Sequence, residues 1–257
     1  MCKECGCGLN PGGVQIGDHA HGHEHDHEHG HAPHHHEPQT VNLNRSLLEK
    51  NDRLAERNRG FFRAKKLLVL NVVSSPGSGK TTFIRETAAR SAGKLRLGVI
   101  VGDLATDNDA AQLRRAGIPV VQITTGTVCH LDAEMVSKAA DQLDLDQLDV
   151  LVIENVGNLV CPADYDLGED LRVVLLSTTE GEDKPLKYPP MFHSANIAVV
   201  TKSDLASAAG FNREQALANL RRVSHHAQIF ELSAKTGEGM PAWLEFLAKQ
   251  RPAVKGT

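Results

Sequence analysis

Residues Leu67-Leu68-Val69-Leu70-Asn71-Val72-Val73 run directly into Ser74-Ser75-Pro76-Gly77-Ser78-Gly79-Lys80-Thr81, and this junction decides the fold. A short Val/Leu run with little polar alternation is the mark of a strand buried on both faces. The stretch after it matches the phosphate-binding pattern G-x4-G-K-[ST] at Gly79, Lys80 and Thr81, with Ser74 where the first glycine usually stands. Gly77 and Gly79 permit a tight turn that aims backbone N–H groups at phosphate oxygens. A helix starting near Lys80 adds its positive dipole end. Lys80 is expected to reach the β- and γ-phosphates and the Thr81 hydroxyl to ligate Mg²⁺, with Ser78 and Thr82 flanking them in the loop. A plain Gly/Ser/Pro turn accounts for the glycines alone; residue identities and strand–loop–helix context together favour a phosphate loop.

Outward from this junction, the same kind of apolar run recurs at Leu97–Val101, Pro119–Ile123, Val150–Ile153, Arg172–Leu176, Ile197–Thr201 and Gln228–Leu232. Between the runs, helices fit Thr81–Ser91, Asp107–Arg115, Leu131–Gln142, Asn212–Val223 and Pro241–Gln250. Strands alternating with helices predict an α/β fold, a mainly parallel sheet flanked by helices. A lead-in helix is expected over Leu43 to about Ala64, with Leu47, Leu54 and Phe61 continuing its apolar face from Leu43. Two units result: a Cys/His-rich segment over 1–40, too poor in aliphatic residues to pack a core and therefore expected to be disordered, and a nucleotide-binding domain over 41–257. Aromatics make up only 4% of the chain, so the core must be largely aliphatic.

Acids at two strand ends point to a cation. Asp103 follows the second strand and Glu154 the fourth, and ligands of open α/β sheets bind at the carboxyl ends of strands. Either acid could hold Mg²⁺ directly or through water, and Asp103 could also position an attacking water. Thr201-Lys202-Ser203-Asp204 and Ser233-Ala234-Lys235 follow the last two strands. They resemble the guanine-reading motifs of GTPases, usually N-K-x-D and S-A-K. A carboxylate at Asp204 can accept both guanine N1–H and the exocyclic amine, a donor pair adenine lacks, so the wrong base leaves a buried carboxylate unpaired. The Lys202 stem would cover the base and the Ala234 N–H could meet O6. Thr201 departs from the usual Asn.

Metal-ligating residues are distributed unevenly. Cys2, Cys5 and Cys7 fall within six residues of one another, and a soft thiolate set with the α-amino group could give square-planar Ni²⁺ or tetrahedral Zn²⁺. His19, His21, His23, His25, His27, His29, His31, His34, His35 and His36 alternate largely with acids and glycines, the pattern of a flexible multi-imidazole metal store rather than of an uninterrupted tag. Cys129-His130 and Cys161 could form a third site, completed across a dimer interface. Buried, unreactive cysteines are the alternative there. Residues 1–40 carry a formal charge of −5 out of −4 for the whole chain, which leaves the remainder at +1. That near-neutral domain lacks the basic stripe of a nucleic-acid binder. No apolar run approaches the ~18 residues of a membrane span, and no apolar signal region opens the chain. A cytoplasmic protein is expected.

Taken together, Val73–Thr82, Cys129-His130-Leu131-Asp132-Ala133, Glu154-Asn155-Val156-Gly157-Asn158-Leu159-Val160-Cys161-Pro162 and Glu180-Gly181-Glu182-Asp183-Lys184-Pro185-Leu186-Lys187-Tyr188-Pro189 resemble the HypB family of hydrogenase nickel-incorporation GTPases. The resemblance runs over 41–257 and includes Cys2-Lys3-Glu4-Cys5-Gly6-Cys7. It implies a P-loop GTPase that hydrolyses GTP to GDP slowly, dimerises around nucleotide, and delivers Ni²⁺ during [NiFe]-hydrogenase maturation. The expected partners are a small zinc-containing chaperone, HypA, and the hydrogenase large-subunit precursor. It further implies that Cys129, His130 and Cys161 bind Ni²⁺ or Zn²⁺ in the G domain, that Cys2, Cys5 and Cys7 form a tight nickel site, and that Lys184 lies near the guanine of its own or the facing subunit. No arginine finger or catalytic glutamine is evident, in keeping with slow turnover. A nickel or zinc buffer and a urease-accessory GTPase are the rival readings. The Cys2/Cys5/Cys7 cluster and Cys129-His130 favour the hydrogenase branch.

Overall fold

The structure is a computed structural model and describes residues 39–250, with side chains from residue 45 onward. Cys2, Cys5, Cys7 and the histidines from His19 to His36 lie outside the described residues. In chain order the elements are α1 (Gln39–Ala64), β1 (Leu68–Val73), α2 (Lys80–Arg90), β2 (Leu97–Asp103), α3 (Asn108–Arg115), β3 (Val120–Thr124), α4 (Ala133–Ala140), β4 (Val150–Glu154), β5 (Leu171–Ser177), α5 (Lys184–Lys187), α6 (Pro189–His193), β6 (Ile197–Thr201), α7 (Arg213–Val223), β7 (Gln228–Glu231) and α8 (Met240–Gln250). All seven expected strands form, within two residues at each end. The short helices α5 and α6 escape a periodicity reading because each spans little more than one turn and is opened by prolines.

The strands form one parallel sheet in the order β3-β2-β4-β1-β5-β6-β7. Every residue of β1, β4 and β6 is buried, as strands sandwiched between helices require. Alternate side chains feed opposite cores. Leu68, Leu70 and Val72 pack with Phe83, Leu113, Trp243 and Leu247 under α2, α3 and α8. Val69, Ile100 and Ile153 pack with Phe62, Leu131 and Val136 under α1 and α4. Val174, Leu176 and Val200 meet Met191, Phe192 and Leu220 under α6 and α7. The few aromatics are concentrated: Trp243 is fully buried against Phe83, Phe230 and Phe246, and its Nε1–H donates to Thr87 Oγ1 at 3.0 Å.

Helix α1 departs from expectation on its buried face. Leu47 and Phe61 are exposed, at 44% and 42%, whereas Asn51, Ala55, Asn58 and Phe62 are buried. Leu43 lies where side chains are not described. The reason is polar rather than apolar docking. Asn51 Oδ1 accepts from Ala133 N–H at 2.9 Å, and its Nδ2 donates to Asp166 O at 2.8 Å. Asn58 Nδ2 donates to Ala133 O and Leu167 O. An apolar-periodicity reading weighs Leu and Phe and passes over asparagines, yet these two supply partners for the first turn of α4 and for the loop before β5.

Candidate nucleotide and metal site

Among the described residues, the phosphate loop, Asp103, Cys129-His130, Glu154, Cys161, Thr201–Asp204 and Ser233–Lys235 all stand at or beyond the carboxyl ends of strands. The phosphate loop leaves β1 with Gly77 and Gly79 in left-handed conformations, φ 76° and 95°, that only glycine adopts without strain. Gly157, in the loop after β4, approaches Pro76 so closely that an added Cβ would lie 3.1 Å from its backbone. The two loops are therefore packed together so tightly that a side chain there would require Pro76 to give by a few tenths of an ångström. Ser74 is fully buried, and Lys80 Nζ donates to its hydroxyl at 3.3 Å, which gives the serine a use that the usual glycine lacks. Burial pulls the Lys80 pKa below its ordinary value, opposed by the nearby Glu154, Asp109, Glu180 and Asp103 carboxylates.

Below Lys80, the Thr81 hydroxyl donates to Glu154 Oε1 at 2.7 Å. Glu154 is buried, its Oε2 has no hydrogen-bond partner, and burial pushes its pKa up to about 7 despite Lys80 and Thr81. A hydroxyl beside a buried carboxylate with an orphaned oxygen fits a hard divalent cation with oxygen ligands. Thr81, Lys80 and Glu154 line one cavity with Gly77, Asp109 and Gln112. Asp109 and Gln112, on α3, were missed in the sequence because they carry no motif around them. Asp103 lies outside that lining: its carboxylate accepts from Ala105 N–H and the Thr106 hydroxyl, within its own loop. Glu180, also unmarked in the sequence as a site residue, approaches Ser78 Oγ at 2.5 Å and leaves its Oε2 buried and unpartnered.

A second cavity of ≈ 210 Å³ shares Gly79 and Thr82 with the first, so the two form one cleft. Thr201, Lys202, Asp204, Ser233, Ala234 and Lys235 line it, which brings both expected base-reading loops to one place. Ser233 Oγ donates to Asp204 Oδ1 at 2.6 Å and fixes the carboxylate. Thr201 Oγ1 donates to Ser78 O at 3.0 Å, so the hydroxyl ties the base loop to the phosphate loop. Lys202 adopts φ 58° and donates to Gly77 O at 2.8 Å, a second tie. Lys184 is not among the cavity's lining residues; its ammonium lies over the Tyr188 ring, 5.3 Å from the centroid.

Cys129, His130 and Cys161 converge, with one ligand atom from each within 4.8 Å of the others. The two Sγ atoms lie 2.9 Å apart. His130 is buried, stacks on Tyr165 at 3.9 Å between centroids, and its Nδ1 has no hydrogen-bond partner. Burial lowers its pKa, against Asp132 and Asp164, and favours the neutral imidazole that binds metals. Two thiols and an imidazole nitrogen suit Ni²⁺ or Zn²⁺.

A buried polar network underlies this trio. Asn155, next to Glu154, lies 3.4 Å from Leu131 N–H through Oδ1 and donates to Asn71 Oδ1; Asn71 donates to Glu169. Arg172 pairs with Glu169 at 3.0 Å and donates to Ala163 O and Tyr165 O, on the segment that follows Cys161. Asn158 Nδ2 donates to Cys129 O at 3.2 Å. The loops that carry Cys129, His130 and Cys161 are thereby fastened to β1, β4 and β5.

A parallel sheet with a phosphate loop after its central strand and two base-lining loops at its edge defines a P-loop nucleotide-binding protein. Residues 68–231 match the CobW/HypB/UreG nucleotide-binding domain family. The chain is 53% identical over 207 residues to the hydrogenase maturation factor HypB of Escherichia coli K12, covering 80% of this chain and 71% of that protein. It is similar to the crystal structure of HypB from Helicobacter pylori in complex with nickel, at 38% identity and TM-score 0.75 over 81% of this chain and all of that one. Archaeoglobus fulgidus HypB matches at 40% identity and TM-score 0.73, over 78% and 98% of the two chains. The chain belongs to the HypB family of hydrogenase maturation factors.

Proposed function

We propose that the chain is a GTP-hydrolysing nickel metallochaperone that binds Ni²⁺ at Cys129, His130 and Cys161 and releases it to a partner during [NiFe]-hydrogenase maturation. The convergence of those three ligands on loops bonded to the residues after Glu154 carries the reading. The nickel-complexed Helicobacter pylori relative supports the choice of metal.

In this reading, the loop N–H groups and Lys80 hold the nucleotide phosphates, with Gly77, Ser78, Gly79, Thr81 and Thr82 shaping the cradle. Mg²⁺, held by Thr81 and Glu154, would neutralise charge on the phosphates. Asp103, whose carboxylate is bonded to Ala105 N–H and the Thr106 hydroxyl, would join the ion, directly or through water, or orient the attacking water on turning out of its own loop. Asp204, held by Ser233, accepts from the guanine edge, while Lys202, Ala234 and Lys235 border the base; Lys184, which does not line the cavity of its own chain, would reach the guanine of a facing subunit. Among the described residues Lys80 is the only cationic side chain lining the phosphate cavity, which supports slow turnover. Val160, beside Cys161, is 58% exposed and Leu104, beside Asp103, 43%. These apolar side chains support a homodimer closing over nucleotide and metal. The HypA-type chaperone and the hydrogenase precursor are the proposed recipients of the ion, in the cytoplasm. Residues 1–40 hold further Ni²⁺ or Zn²⁺ through Cys2, Cys5, Cys7 and the histidine run, apart from the domain over 41–257. No helix among the described residues is long and apolar enough to cross a membrane.

The test uses the full chain with Cys2, Cys5 and Cys7 all changed to Ser. Thiolate-to-nickel absorption should persist, and should vanish on further Cys129→Ser or Cys161→Ser exchange. Its absence from the triple variant would overturn the assignment.

A further inference from the structure

Four of the 14 histidines lie beyond residue 40: His130, His193, His225 and His226. The first belongs to the Cys129/Cys161 site. The other three come together on the surface, at the opposite end of the sheet. His193 closes α6 just before β6, and His225-His226 stand just before β7. Ile197 pairs with Gln228 in the sheet, so these two approaches are neighbours. The His226 ring lies 5.6 Å from His193 and 5.4 Å from His225, edge-on to both.

We propose that His193, His225 and His226 form a further metal site, for a late divalent ion that accepts neutral imidazole: Ni²⁺, Cu²⁺ or Zn²⁺. The hydrogen bonding of His193 already suits a ligand. Its Nδ1 lies 3.2 Å from Val223 O, one of the last carbonyls of α7. A carbonyl can only accept, so Nδ1 carries the proton and the neutral ring offers Nε2. A metal-binding histidine is typically oriented by such a bond from its other nitrogen. All three rings are exposed, so rotation of the His225 and His226 side chains can bring a nitrogen of each towards the ion held by His193 Nε2. A purely imidazole set does not suit Mg²⁺ or Ca²⁺, which demand oxygen ligands. Three ligands leave coordination positions open to water or to an incoming imidazole, the arrangement of an exchange site rather than of a closed structural one. Arg221 and Arg222, exposed in the last turn of α7, oppose a cation there, so this site fills after the thiolate site. It lies about a strand's length, roughly 17–20 Å, from the nucleotide cleft, and it does not depend on the function proposed above.

The experiment is residue-resolved ethoxycarbonylation of histidines in the full chain by diethyl pyrocarbonate, read by peptide mass spectrometry as Ni²⁺ is raised to millimolar concentration. Because each histidine is read separately, uptake by the amino-terminal histidines does not mask the result. The three should be protected together with one midpoint, at higher Ni²⁺ than the midpoint of the thiolate-to-nickel absorption of Cys129 and Cys161. Mg²⁺ should protect none of them. Exchange of the central residue, His226→Ala, should shift protection of His193 and His225 to several-fold higher Ni²⁺; the residue is exposed, so the fold tolerates the change. No protection at millimolar Ni²⁺, unequal midpoints for the three, or an unchanged midpoint in the His226→Ala chain would each overturn the proposal.

Discussion

The Thr81 hydroxyl donates to Glu154 at 2.7 Å, which bonds the first turn of the phosphate-loop helix to the end of β4. A carboxylate in that position, buried and with one oxygen unpartnered, is held ready for a cation and is uncomfortable without one. Its discomfort has a pH signature. Burial raises the Glu154 pKa from 4.5 to about 7, so between those values the folded chain holds a proton that the unfolded chain has lost. The stabilising contribution is complete below pH ~4.5 and is lost as pH rises through ~7, up to about 3 kcal/mol. Denaturant unfolding without Mg²⁺ or nucleotide should show the wild-type chain losing more stability between pH 5 and 8 than the Glu154→Gln variant. Identical pH profiles would show that the carboxyl is not perturbed.

Asp204, fixed by the Ser233 hydroxyl, is the one group in the base cavity whose charge suits guanine over adenine. Asp204→Asn should lower affinity for GDP by roughly 10–100-fold through loss of charge-assisted hydrogen bonds, with little change for ADP. Competition binding against both nucleotides measures this directly. A retained guanine preference would place base reading elsewhere.

Thr201 stands where related GTPase motifs carry Asn, yet its hydroxyl bonds Ser78 O across the cleft. Thr201→Val removes that bond while keeping the shape. Nucleotide affinity should fall by about 1 kcal/mol, roughly fivefold, and Thr201→Ser should restore it. Equal affinities for Val and Ser would remove the tie from the account.

Arg172 and Glu169 form an ion pair whose side chains are only 9% and 7% exposed. Arg172→Leu strands the Glu169 charge and takes donors from Ala163 O and Tyr165 O. The cost should be about 3–5 kcal/mol, read as a lowered unfolding midpoint. Arg172→Lys should keep more stability but still weaken nickel absorption at Cys129 and Cys161, because a single ammonium cannot reach all of those acceptors. Nickel binding by the lysine variant that matches wild type would separate the network from the metal site.

The parts of this molecule legible in the sequence are those that physics writes locally. Strands buried on both faces appear as unbroken aliphatic runs, and Gly77 to Thr81 announce a phosphate loop because neighbouring residues do the work. The Cys129, His130 and Cys161 trio is readable from residue type, but its closure depends on Glu169, Arg172 and Tyr165, which carry no motif, and on Asn155, whose bonds to Leu131 and Asn71 its own stretch does not reveal. The buried face of α1 was misjudged for a related reason: Asn51 and Asn58 dock through hydrogen bonds to Ala133, which no hydrophobic period records. Asp103 illustrates a third case. Its place at a strand end was visible, but its turn toward Ala105 and Thr106 was not.

We propose further that nucleotide state sets the metal affinity of Cys129, His130 and Cys161, because Asn155, next to Glu154, reaches Leu131 N–H and Asn158 holds Cys129 O. The most direct measurement is a Ni²⁺ titration of the full chain carrying Cys2→Ser, Cys5→Ser and Cys7→Ser, followed by thiolate-to-nickel absorption, first with GDP and then with a non-hydrolysable GTP analogue. A coupled site must bind nickel with different affinity in the two states, and the difference should be several-fold and disappear with Cys129→Ser. Equal affinities would contradict the account and leave metal handling to a partner or to the amino-terminal ligands.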